Sequence, residues 1–217
     1  MPRSFPLSLS EFWDQLPVIN STFYLPSDVR QNWTNGGDPV QVDPTPRLWQ
    51  GSVQCARMLH DEAGEVAAAL ELIMRSGGSF LARPMQRVGP ANDPDGSVTH
   101  TASLGNTVTD GGRTIKITGL AGGFTLRRGD FMSISYGTSP IRRGFHRFVT
   151  TETSTGPGVI DAIEVNPPLR TGYDTGDAIT INNPFLKAVI DPETFNPQNL
   201  RASIADGFSF GWRQTLR

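Results

Sequence analysis

The side chains that could carry chemistry here are three histidines, one cysteine, scattered carboxylates and an Arg-Gly-Asp tripeptide. A metal centre needs ligands at fixed spacing, such as two histidines four apart on a helix. His60, His100 and His146 lie in three separate segments without that spacing, and each reads as a surface or turn residue. Nucleophile motifs are also missing: there is no G-x-S-x-G, and Cys55 sits mid-strand on an apolar face, where a thiol behaves as a small hydrophobe. Gly111-Gly112 and Gly122-Gly123 do not follow a strand and open a helix, so neither reads as a phosphate loop. The carboxylates form no pair at a spacing that singles out glycoside hydrolysis. Tyr136, Tyr173 and Phe145 are candidates to stack on a glycan, with packing inside a small barrel as the competing reading. These observations predict no catalytic residue, no metal site and no cofactor.

The tripeptide Arg128-Gly129-Asp130 has two readings. As an adhesion motif it would present its carboxylate to a receptor. As a turn it would use Gly129 for the backbone and Asp130 to accept backbone N–H groups ahead of the strand "FMSISYG". The turn reading is the expectation, because an adhesion role needs export and "MPRSFPLSLSEFW" has no apolar signal segment.

The elements that must position these residues follow from composition and period. The chain has 217 residues with 23 Gly and 17 Pro, and charged residues are only 18%. Such a length suits one domain, or one domain carrying an insertion, and the composition predicts many strands and turns. Net charge is −2, so no basic face for nucleic acid is expected. A single cysteine allows no internal disulfide, which fits a reducing compartment. No apolar run approaches the ~18 residues of a membrane span.

In "RLWQGSVQC", Trp49, Gly51, Val53 and Cys55 alternate with Gln50, Ser52 and Gln54, which predicts a half-buried strand. The next segment, "HDEAGEVAAALELIMRSGG", puts Val66, Leu70, Ile73 and Met74 on one helical face. Asp61 and Glu62 fall in its first turn and Gly77-Gly78 at its end. "SFLARPM" is a further strand. "SLSEFWDQL" predicts a short helix, with Ser8 and Glu11 at capping-box spacing. The stretch from Ser21 to Pro46 reads as an arm or long loop with one strand. After the break at "RVGPANDPDGS" the pattern is all strand: "TIKITGL", "FMSISYG", "FHRFVTTET", "GVIDAIEVNPPL" and "DAITI". "LKAVIDPETF" reads as a strand ending in a turn. "DGFSFGWRQTLR" aligns Phe208, Phe210 and Trp212 for docking beside the Trp49 strand.

The predicted fold is therefore mainly β. A β-sandwich or belt domain with one packed α-helix (residues 1–90 and 186–217) is interrupted by a small inserted antiparallel β-barrel, OB- or galectin-like, at residues 91–185.

Four stretches together resemble the distal tail proteins of long-tailed bacteriophages. They are "FPLSLSEFWDQLP"; "PRLWQGSVQCARM" leading to a helix that ends in "GGSFLARP"; the series "LRRGDFMSISYG", "FHRFV" and "VNPPLRTGYDTGDAITINNPF"; and the closing "GFSFGWRQTL". The resemblance covers most of the chain and rests on the order of turns and strands. It implies a structural virion protein at the distal end of the tail, assembled in the bacterial cytoplasm. Such a protein forms a six-copy ring between the tail tube protein and the tail-tip hub protein. Tail fibre or receptor-binding proteins are further expected partners. DNA would pass through the channel without specific binding, and no membrane is involved. Residues 49–85 and 186–217 would form the ring, and residues 96–184 would project from it. Many such proteins instead carry a galectin-like domain after the ring-forming domain. The alternative expectation is a receptor- or glycan-binding module of the tail tip.

Overall fold

The computed structural model describes residues 4–27, 29–42, 47–106, 110–199 and 203–216. The chain is mainly β with a single α-helix, and its antiparallel sheets curl into half-barrels. The described residues divide into two compact units, one within 1–14, 80–187 and 215–217, the other within 15–79 and 188–214. They are called the barrel unit and the sheet unit below. No helix among the described residues is long and apolar enough to cross a membrane.

The sheet unit begins with β1 (Val18–Tyr24), β2 (Arg30–Trp33), β3 (Pro39–Val42), β4 (Gln50–Cys55) and α1 (His60–Ile73). Period two in β4 buries Gly51, Val53 and Cys55 and exposes Ser52 and Gln54, as the alternation predicts. Antiparallel β1 pairs with β4, from Tyr24 opposite Gln50 to Val18 opposite Cys55. Helix α1 carries Asp61 and Glu62 in its first turn and buries Ala63, Leu70 and Ile73. Gly77 then adopts φ +82° past the helix end.

The barrel unit holds β5 (Phe80–Ala82), β6 (Ser103–Leu104), β7 (Thr114–Thr118), β8 (Thr125–Leu126), β9 (Phe131–Tyr136), β10 (Arg142–Phe148), β11 (Glu152–Thr153), β12 (Ile160–Asn166) and β13 (Ile179–Thr180). Six of these pair in the order β13-β9-β10-β12-β7-β6. The sheet curls until its end strands meet: Ser103 bridges Ala178, and Ile179 N–H donates to Ala102 C=O at 2.8 Å. Ile115 and Ile117, Met132 and Ile134, Phe148, Ile163 and Val165 fill the interior. A short segment joins this unit through Phe80. Leu7 pairs in parallel with Phe80, Trp13 stacks on Phe80, and Trp13 Nε1–H donates to Arg83 C=O at 3.0 Å.

Strand β14 (Leu186–Asn196) runs from the barrel unit into the sheet unit, where β15 (Ser209–Gln214) pairs with it and with β4. Phe208, Phe210 and Trp212 are all buried, and β15 lies beside β4 as the aromatic alternation predicts.

Three local expectations are corrected. "SLSEFWDQL" does not form an α-helix. Both Ser8 N–H and Oγ–H donate to Glu11 Oε2, at 2.9 and 2.7 Å, but only a 3-10 turn at Trp13–Gln15 follows. Pro17 forbids continuation, and so few residues cannot offset helix nucleation. The expected arm is three strands, β1 to β3, not one. Only Phe23 among the alternating β1 positions is a clear apolar anchor, so the period was faint; Asp28 and residues 43–46 of that stretch lie outside the described residues. Finally, β14 does not stop at Asp191-Pro192. It continues to Asn196, and its register against β15 shifts between Asp191 and Asn196. Such an irregularity tolerates a proline that has no N–H to donate.

Candidate interaction surface

The histidines separate into three environments. His60 opens α1 and is exposed. His100 is half-buried in a loop, and its Nδ1 accepts Ala121 N–H at 3.2 Å. Burial pushes its imidazole below the usual range, partly offset by Asp93. His146 corrects the surface expectation: it is 3% exposed. Its Nδ1 lies 2.7 Å from Pro167 C=O and its Nε2 3.2 Å from Tyr173 Oη. The carbonyl can only accept, so Nδ1 carries the proton and Nε2 accepts from the tyrosine. Burial pushes His146 down to about 4, and burial likewise raises Tyr173 well above its usual range. Gly144 makes this arrangement possible, because a Cβ there would collide with Tyr173 Oη and His146 Nε2. That glycine was the available sequence signal.

Tyr136, Tyr173 and Phe145, the candidates for glycan stacking, are all buried. Tyr136 and Tyr173 pack ring to ring at 4.0 Å; Phe145 packs against Phe131 at 5.3 Å. None offers a face to a sugar. Cys55 is buried, and desolvation raises its thiol to about 11. Among the described residues, no group of three or more His, Cys, Asp or Glu could hold a metal ion.

Arg128-Gly129-Asp130 is built as a turn. Gly129 has φ +94°, a conformation that favours glycine. Asp130 is 2% exposed. Its Oδ1 accepts Ala91 N–H at 2.8 Å and its Oδ2 accepts Arg127 N–H at 2.9 Å. Arg128 Nε–H donates to Val149 C=O at 2.9 Å. The carboxylate that a receptor would need is already occupied and buried.

The exposed apolar groups lie elsewhere. β2 and β3 form a two-stranded ribbon, with Arg30 opposite Val42, Asn32 opposite Val40 and Trp33 opposite Pro39. Its turn is ordered by Thr34 N–H to Asp38 C=O at 2.9 Å and Asp38 N–H to Thr34 Oγ1 at 3.1 Å. Every residue of both strands is exposed; Trp33 is 68% and Val42 56% exposed. Opposed residues share a face, so Val40 and Val42 lie on one side and Trp33 on the other. An isolated hairpin is marginal in water, and this one has no core beneath it. Beside it in sequence, β1 is an end strand of its sheet, with Ile19 65% exposed. End strands with free backbone groups are ready templates for pairing. The sequence reading took this region for an arm but named none of Trp33, Val40 or Val42.

No protein-family model and no curated protein matches this chain.

Proposed function

We propose that this chain is a structural virion protein of a phage tail tip. It forms a closed homomeric ring, six-fold, between the tail tube and the tip hub, with DNA passing through the channel. The observation that carries the reading is the β2–β3 ribbon, which exposes Trp33, Val40 and Val42 on both faces. Such a ribbon gains a hydrophobic partner when a neighbouring copy covers it. A repeated head-to-tail contact closes into a ring when its rotation closes. The order of motifs shared with distal tail proteins supports the same reading. The near-neutral charge of −2 suits passage of DNA, since many phosphate contacts would hold it. The proposal assigns the chain no turnover.

The test is the mass of the purified protein by native mass spectrometry, together with electron microscopy of particles. A six-fold ring supports the proposal. A monomer at high concentration, with no ring in the assembled particle, overturns it.

A further inference from the structure

We propose that the solvent face of the sheet unit is a binding site for a neutral oligosaccharide, separate from the ribbon and from the barrel. Register places nine side chains of β1, β4 and β15 in three rungs across the strands. Asn20, Gln54 and Ser209 make one rung. Thr22, Ser52 and Gly211 make the next, and Tyr24, Gln50 and Arg213 the third. The middle rung carries only small groups and the outer rungs carry longer ones, so the face is a trough running across the strands. Its open volume is about 510 Å³.

The trough's chemistry selects the ligand class. Its lining is hydroxyls and amides, and its only charges are Asp191 and Arg213, of opposite sign. A nucleic acid needs a row of cations, and none is present. An extended peptide binds through free strand backbone or apolar pockets, but the paired strands of this face offer neither. A saccharide presents neutral hydroxyls and an apolar ring face. Amides of Asn20, Gln50 and Gln54 suit the first, and the half-exposed Tyr24 ring suits the second. The floor is pre-organised: Ser52 N–H and hydroxyl both lie 2.8 Å from Thr22 Oγ1, and Thr194 Oγ1 accepts Gly211 N–H at 2.8 Å. Strands sit about 4.8 Å apart, so three of them span the length of a disaccharide.

The experiment titrates the full-length protein with maltose, cellobiose, lactose and N,N′-diacetylchitobiose, by calorimetry and ligand-observed NMR. A single-stranded DNA oligonucleotide is run in parallel. Binding of at least one disaccharide is expected, at dissociation constants up to about 1 mM. Tyr24→Ala should weaken it by about tenfold through loss of the ring contact. Ser52→Phe should abolish it by filling the trough, and Gln54→Ala, a smaller change, guards against a folding defect in the other two. Retained binding in Ser52→Phe, preference for the oligonucleotide, or no disaccharide binding at all would each overturn the proposal.

Discussion

The barrel unit and the sheet unit solve the problem of strand edges in opposite ways. In the barrel unit the six-stranded sheet curls until β6 meets β13, and buried polar groups such as Asp130 and His146 have partners within the unit. In the sheet unit β1 ends its sheet, and the β2–β3 ribbon leaves Trp33 and Val42 in water. The first arrangement is self-sufficient. The second is stable as a fold but unfinished as a surface, and that is the mark of a chain whose remaining contacts come from another molecule.

Four substitutions or conditions test that contrast. The largest effect is expected from Leu70→Asp, which puts a carboxylate at a fully buried position of α1. An unpaired buried charge costs at least several kcal/mol, comparable to a domain's stability of ~5–15 kcal/mol. Hydrogen exchange should show the sheet unit unprotected while the barrel unit keeps its protection. Loss of both together would mean that the barrel is not self-sufficient.

Acid should act on the barrel unit instead. Buried His146 stays neutral down to about 4, whereas the unfolded chain takes up its proton near pH 6.5. Between those values the unfolded state binds more protons, so the contribution is complete above pH ~6.5 and is lost as pH falls to about 4. Over that window it amounts to about 3 kcal/mol. Urea melts of the wild type and His146→Gln should diverge in slope with pH there, and parallel pH profiles would refute the assignment.

The turn offers a finer measure. A single acceptor at position 130 would make Asp130→Asn mild, but both carboxylate oxygens accept backbone N–H groups. An amide must point one N–H donor at another, so a cost of about 1–3 kcal/mol is expected. Gly129→Val should cost about 1–2 kcal/mol, since φ is +94° while the space for a Cβ is open. Thermal melts should rank the two in that order and leave the sheet unit unchanged. The smallest effect on stability is expected from Trp33→Ala: within about 0.5 kcal/mol for the monomer, as for an exposed residue. Self-association should nonetheless weaken by about tenfold, read by sedimentation. A large drop in monomer stability would show that the ribbon is packed within its own chain.

The parts legible in the sequence are those where a side chain's period coincides with burial on one face. β4, β7, β9, β15 and α1 are all of that kind, and Ile115/Ile117 or Phe210/Trp212 make the period plain. β1 was faint because polar Asn20 and Thr22 alternate with Ser21, leaving Phe23 alone to mark the inner face. The ribbon was unreadable as a surface because exposure depends on what the chain fails to place beneath it. His146 and Tyr173 are 27 residues apart, and only the register of β10 and the missing Cβ at Gly144 join them. Carbonyl acceptors such as Pro167 leave no trace in sequence at all.

Cys55 has a practical consequence. It is the chain's one thiol, lies in β4 of the sheet unit, and is both buried and poorly ionised. Thiolate is the species that reacts with alkylating and disulfide reagents, so in the closed unit the group is nearly silent at neutral pH. Its labelling rate therefore times the opening of the sheet unit alone, while the thiol-free barrel contributes no signal. Covering the ribbon with a partner should slow that clock, which makes an unmodified wild-type residue a reporter of assembly.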